Sequence, residues 1–102
     1  MNRSIFPAAI LSVLCVGCFT LDGHQNFINI YSRQVGRSAD AFYRDQLVST
    51  KTLSNGNIEE KHGAGLWRGD QQCFVFFEID PNSRKILSWR YEGSDDICRV
   101  PL

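Results

Sequence analysis

The chain has 102 residues, and 11 Lys and Arg are balanced by 11 Asp and Glu, so its formal net charge is +0. A neutral chain whose cations are scattered rather than clustered has no global field to draw nucleic acid or an acidic membrane surface. The length suits a single domain, and its first part reads as a targeting segment outside that domain.

Met1-Asn2-Arg3-Ser4 is a short polar start with one positive charge, and Ile5 to Val16 is then almost wholly apolar, broken by Pro7 and Ser12. That run falls short of the ~20 residues a transmembrane helix needs, but it matches the apolar region of a signal peptide. Pro7, the basic start and the small Gly17 weigh against a buried N-terminal helix of a cytosolic protein. At the end of the run, "LCVGCFT" places Cys15 and Cys18 in CxxC spacing. A thioredoxin-like pair needs a strand before it and a helix after it, and a zinc half-site needs a second ligand pair. The surrounding sequence has neither pattern.

Val16-Gly17-Cys18 instead resembles the bacterial lipobox, in which a small residue precedes a cysteine that is lipidated and becomes the mature N-terminus. Leu14 lies just upstream, and Cys15 stands where that pattern prefers Leu. The resemblance implies a signal peptide over 1–17, a diacylglyceryl- and palmitate-bearing Cys18, and a tether over 18–23. A single domain follows over 24–102, with ordinary signal cleavage nearby as the alternative. Cys15 then leaves with the signal peptide, and the folded part keeps Cys73 and Cys98. In an exported domain that pair reads as a disulfide, the alternative being two buried free thiols. The closed loop would be worth about 3 kcal/mol, which matters at about 85 mature residues, where a core alone gives only modest stability.

Along the mature chain, Asp22 reads as a helix cap, with Phe27, Ile30 or Tyr31, and Gln34 or Val35 recurring at helical spacing before Gly36 as a stop. Ser38 reads as the cap of a second helix, with Asp40 in its first turn and Phe42, Tyr43, Gln46 and Leu47 as its contacts. Asn55-Gly56 is a two-residue hairpin signal between Lys51–Ser54 and Asn57–His62, since both turn positions accept positive φ. "HGAGLWRGDQQ", His62 to Gln72, reads as a glycine-rich irregular loop with Trp67 exposed or folded back. Cys73 to Asp80 is an aromatic and β-branched strand, Pro81-Asn82-Ser83 a turn, and Lys85 to Gly93 the returning strand. On that last strand Leu87, Trp89 and Tyr91 share one face and Ile86, Ser88 and Arg90 the other. The expected fold is α+β, with two short N-terminal helices packed on one face of an antiparallel sheet of three to four strands.

Alternation in the aromatic strand sends Val75, Phe77 and Ile79 toward the helices and Phe74 and Phe76 away from them. Either the Gly63–Gln72 loop or the C-terminal tail covers those two rings, or they form a partner surface with Trp67 and Arg90.

Three stretches carry a wider resemblance: "VGRSADAF", "LSNGNIEEKH" and "CFVFFEIDPNSRKILSWRYEGSDDIC". From Phe27 to Cys98 the chain resembles the small BamE/SmpA-like outer-membrane lipoproteins. It lacks the Gly-x-Pro that usually follows their second helix, reading "QLVSTKTL" there. The resemblance implies an anchored accessory subunit at the periplasmic face of the outer membrane that contributes a protein-binding surface rather than catalysis. A periplasmic inhibitor, immunity or exclusion-type lipoprotein that blocks a cell-envelope hydrolase or an entry process is the competing reading. His24 and His62 have no metal-spaced neighbour and read as solvated or capping residues. Glu59-Glu60 and Asp95-Asp96 are adjacent pairs whose side chains point apart, which does not suit a general acid/base couple. The sequence offers no nucleophile elbow and no complete phosphate loop. It therefore predicts no enzyme activity, no cofactor, no metal, no nucleic acid and no small-molecule substrate. The expected partners are an envelope protein and, through the lipid, the membrane.

Overall fold

The computed structural model describes residues 22–100. The leader, the Cys18 anchor and residues 18–21 of the tether lie outside the described residues. The fold is α+β, one helix laid on a four-stranded antiparallel meander in the order β1-β2-β3-β4.

Helix α1 spans Gly23–Ser32, and Asp22 caps it as expected, its carboxylate accepting the Gln25 N–H at 2.7 Å. Such a cap is worth about 1 kcal/mol, and ten residues make a helix that is marginal without tertiary packing. The packing comes through Phe27, fully buried, whose ring lies among Tyr31, Trp89 and Tyr91. The chain leaves the helix through Gly36, at φ 89°, a left-handed conformation in which glycine meets no Cβ penalty.

The second expected helix is reduced to one turn of 3-10 helix, Ala39–Ala41. Ser38 does cap it, accepting the Asp40 N–H at 3.2 Å, but Phe42 is already extended. Continuing the helix would carry the Phe42 ring away from Phe77, Tyr31 and His62, on which it now packs at 5.0, 5.9 and 5.3 Å between centroids. Leu47, expected as a helix contact, opens β1 instead. Core burial outweighs the local propensity.

Strands β1 (Leu47–Thr52), β2 (Ile58–Arg68), β3 (Gln71–Ile79) and β4 (Ile86–Glu92) follow. The first hairpin turns at the expected Asn55-Gly56, but only Gly56 has positive φ. The Gly56 N–H bonds the Leu53 carbonyl at 2.9 Å and the Leu53 N–H bonds the Asn57 carbonyl at 2.8 Å. That pattern is a type I turn closed by a left-handed glycine, rather than a two-residue turn. The stretch expected as an irregular loop, His62–Gln72, is mostly strand. β2 runs on to Arg68, turns at Gly69-Asp70 and returns as β3. Its irregularity is a bulge between Ala64 and Trp67. There Gly65 sits at φ 64°, where a Cβ would collide with the Ile97 carbonyl.

The core lies between α1 and the inner sheet face, built on Phe27, Val75, Phe77, Ile79, Ile86 and Ile97. Ile86 was expected on the opposite face from Trp89 and Tyr91. A register shift between Glu78 and Ile79 leaves Leu87 without a partner on β3; it bulges outward at 46% exposure while Ile86 turns inward. Cys73 and Cys98 are both fully buried and adopt disulfide geometry, S–S 2.12 Å across 25 residues. They hold the C-terminal segment on the inner face, where the Cys98 carbonyl accepts from His24 Nδ1 at 2.7 Å and the Val100 N–H bonds the Gly23 carbonyl at 3.0 Å. His24 is thus a tie between α1 and this segment, not a freely solvated side chain.

Candidate partner-binding face

α1, the 3-10 turn and the C-terminal segment all pack against the inner face of the sheet. The outer face carries Phe74, Phe76 and Glu78 from β3, Glu59 and Lys61 from β2, and Ser88, Arg90 and Glu92 from β4. Register puts Lys61, Phe76 and Arg90 side by side across three strands. The Arg90 guanidinium carbon stands 3.8 Å from the Phe76 ring centroid. Lys61 Nζ lies 4.2 Å from the Phe74 centroid and 5.7 Å from that of Phe76.

Part of the cover that the two rings require comes from two cations, with Gln72 and Ile97 bordering Phe74 on its other side. The cationic head groups of Lys61 and Arg90 lie over the Phe74 and Phe76 rings, and Phe76 is left 8% exposed. A cation over an exposed ring contributes roughly 0.5–1 kcal/mol, so this cover is held weakly. Arg90 is steadied by Glu92 at 3.1 Å and Glu59 at 3.4 Å, and Glu59 also faces Lys51 at 3.7 Å. Hydrogen bonds from Asn57 and then Asn55 hold the Glu78 carboxyl below its ordinary range. The face thus alternates cations and carboxylates around an aromatic centre. Beside Phe74 it opens into a hollow of about 360 Å³ bordered by Asp70, Gln72, Gly93 and Ile97.

Of the residues expected to bind a partner, the structure brings Phe74, Phe76 and Arg90 together and sets Trp67 apart. Trp67 is 75% exposed and pairs with Gln72 near the β2–β3 turn. Lys61 belongs to the face but forms no motif. It becomes visible only when Gly69-Asp70 is read as the turn that brings Lys61 opposite Phe76.

A second cluster lies under the other face. Glu60, 1% exposed, points inward while Glu59 points outward, so the adjacent pair does diverge. Arg44 donates to both Glu60 oxygens at 2.7 and 2.9 Å, Arg84 to one at 3.1 Å, and His62 Nε2 lies 3.2 Å away. Arg84 also reaches Asp40 at 2.9 Å. Arg84 is at φ 64°, a conformation that costs a non-glycine residue roughly 1–2 kcal/mol, and its two carboxylate partners offset that cost. Burial raises the Glu60 pKa, but hydrogen bonds from Arg44, Arg84 and His62 outweigh burial and leave the carboxyl below its ordinary range.

His62, expected to be solvated or capping, is 1% exposed and packed between the Phe42 and Phe77 rings. Burial pushes its pKa down against the hydrogen bond and charge of Glu60. Its Nδ1 has no partner among the described residues, so the fold holds the neutral ring with Nε2–H directed at Glu60. The unfolded chain takes up a proton near pH 6.5, the ordinary value for histidine, and the folded chain only at lower pH. Stability therefore falls as pH drops below about 6.5. Glu60 acts in the same sense at lower pH, because its contribution is present above the unfolded carboxylate range and is lost as pH falls through the folded value. The urea midpoint is expected to fall between about pH 7 and about pH 5, and His62→Leu is expected to flatten that drop. A midpoint independent of pH across this interval contradicts the assignment.

Among the described residues no three His, Cys, Asp or Glu side chains converge on a metal-sized site, and no helix is long and apolar enough to cross a membrane. No family model matches the chain, and comparison with curated proteins and with solved structures returns no match.

Proposed function

We propose that this protein is a non-enzymatic envelope lipoprotein, anchored through Cys18 at the periplasmic face of the outer membrane, that serves as a scaffold or accessory subunit. The observation that carries the reading is the outer sheet face, where Lys61 lies over Phe74 and Arg90 over Phe76 while α1 and the apolar core occupy the inner face. A partner that lands on this face buries the part of the Phe74 ring and of the Lys61 and Arg90 stems still in water, at about 25 cal/mol per Å². Surrounding charges of both signs set its register. The signal-like leader, the lipobox-like "LCVGCFT" and the BamE/SmpA-like strand pattern support the envelope location.

The test uses the full chain with its leader, expressed in a bacterial envelope and solubilised in mild detergent. Wild type is expected to co-purify with one envelope protein in the outer-membrane fraction. The doubly reversed variant Lys61→Glu, Arg90→Glu is expected to lose it while remaining folded, its stability lowered by about 1–2 kcal/mol because two cation–ring contacts of roughly 0.5–1 kcal/mol each are given up and new carboxylates face Glu59 and Glu92. Equal recovery of that protein by both forms, or recovery of none by wild type, contradicts the proposal.

A further inference from the structure

A concave site separate from the outer face lies where β2 ends and β3 begins. The cleft, of about 300 Å³, is bordered by Tyr31, Gln46, Gly63, Gly65, Trp67 and Gln72. Its walls are fixed from different parts of the fold. Tyr31 comes from α1, its ring held against Phe27 at 4.8 Å and Trp89 at 5.9 Å between centroids. Gln46 lies just before β1, and its carbonyl accepts the Gly63 N–H at 2.8 Å. Trp67 and Gln72 are cross-strand partners in β2 and β3. The bulge between Ala64 and Trp67 sets that pairing. It is braced by the left-handed Gly65 and by the Leu66 N–H on the Ile97 carbonyl at 2.7 Å. Bulges re-aim side chains beside binding sites, and here the Trp67 ring stands 75% exposed at the rim.

The lining narrows what the cleft accepts. No Lys, Arg, His, Asp or Glu borders it, in a chain that is 22% charged, so an ionic ligand finds no counter-charge. The Gln46 and Gln72 amides, the Tyr31 hydroxyl and the Trp67 indole N–H have no hydrogen-bond partner among the described residues. A wholly apolar ligand would strip water from these groups and return no hydrogen bond. The two amides converge over Gly63, where a Cβ would stand 3.2 Å from Gln46 Oε1 and 2.7 Å from Gln72 Nε2. A side-chain amide both donates and accepts, which matches a hydroxyl group that does the same. The indole adds a large rigid face of negative potential, which attracts C–H groups. The matching ligand has a C–H face for the indole and a rim of neutral hydroxyls for the amides, and a pyranose ring has both.

We infer that this cleft binds one ring of a neutral saccharide, stacked on Trp67 and hydrogen-bonded by Gln46, Gln72 and Tyr31. Glycoside cleavage commonly needs two carboxyl groups beside the bond, and none borders the cleft, so the site holds the sugar without cleaving it. The inference goes beyond the partner-binding reading of the outer face and uses none of that face's cations or rings.

The full chain, isotope-labelled and held in a detergent without a sugar headgroup, is titrated with cellobiose and with N,N′-diacetylchitobiose at millimolar concentration. The ring substituents of both are equatorial, which leaves flat C–H faces. Nuclear magnetic resonance is expected to show saturable shifts of the Trp67 indole N–H and of the Gln46 and Gln72 side-chain amides. Trp67→Ala, at an exposed position, should weaken binding about tenfold. Gly63→Ala, which pushes the Gln72 amide aside, should also weaken it, with unchanged core signals showing that both variants fold. No shift of the three signals with either sugar overturns the inference, as does undiminished affinity in Trp67→Ala. Equal shifts with glycerol, which has hydroxyls but no ring face, or with acetamide, which presents peptide chemistry, also overturn it. Retention on an insoluble polymer of the same sugar units, released by the disaccharide, assigns the bound ring to a glycan chain. Saturable binding of the disaccharide without such retention assigns it to a free sugar. The Lys61→Glu, Arg90→Glu variant is expected to bind the sugar as wild type does, so failure of the outer-face reading and failure of this one give different results.

Discussion

Arg44→Ala is expected to lower the free energy of unfolding by about 3 kcal/mol, the low end of the range for breaking a buried pair from one side. The asymmetry of burial sets both sign and size. The Glu60 side chain is 2% exposed and that of Arg44 40%, so the arginine can return to water while the carboxylate cannot. Removing Arg44 deletes two of the four hydrogen bonds on Glu60 and leaves the charge to Arg84 and His62. Solvent around Arg44 screens the attraction, which is why the low end applies. Replacing Glu60 and Arg44 by methionine together with His62→Leu should cost less than Arg44→Ala alone, because neither a stranded charge nor an orphaned buried donor remains. Urea unfolding of the three forms decides the matter. A loss below about 1 kcal/mol for Arg44→Ala would mean that the pair behaves as an ordinary surface salt bridge.

The double replacement Cys73→Ala, Cys98→Ala is expected to cost about 3 kcal/mol, from the closed-loop entropy of the unfolded chain across a separation of 25 residues. Alanine is chosen because both positions are fully buried and a serine hydroxyl there would add its own penalty. The consequences should spread beyond the bond. Ile97 accepts the Leu66 N–H at 2.7 Å, Cys98 accepts from His24, and the Val100 N–H reaches Gly23. The segment that the disulfide pins therefore braces both the β2 bulge and the first turn of α1. Hydrogen exchange in α1 should rise together with that around Leu66 in the double variant. In the native wild type both cysteines should resist alkylation until reduced, and rapid labelling of either would contradict the pairing.

The legible parts of the fold are those in which one residue type does a job that no neighbour can do. Asp22 is visible as a cap, Gly36 and Gly56 as left-handed turns, and Cys73 to Ile79 as a strand, because each satisfies a local rule that tertiary packing reinforces. The failures share a cause. After Ser38 and Asp40 the local pattern favours a helix, yet the core has a place for the Phe42 ring that only an extended chain can fill. In β2 the two central inward positions, between Ile58 and Ala64, are Glu60 and His62 rather than apolar residues, so the alternation that marks a half-buried strand is hidden. Only the arginines at 44 and 84, distant in sequence, make those positions habitable. The bulge at Leu87 adds one residue and so exchanges Leu87 for Ile86 on the inner face, while the bulge at Gly65 and Leu66 adds two and interrupts the alternation, which makes the glycine-rich strand read as a loop. The outer-face rings were placed correctly by alternation. Their cationic cover was not, because Lys61 meets Phe76 only through a hairpin whose turn was itself unread.

The central claim is that the outer face, centred on Phe76, is where this protein meets its partner. A photo-reactive residue placed at Ser88, on that face beside Phe76 and Arg90, in the full-length chain in the envelope tests it most directly. The same residue at Asn29, on α1 on the opposite side of the sheet, serves as the control. Irradiation should give one discrete cross-linked protein from Ser88, abolished by Lys61→Glu with Arg90→Glu, and none from Asn29. Cross-linking to the same protein from Asn29 alone, or from Ser88 with undiminished yield in the reversed variant, would contradict the claim.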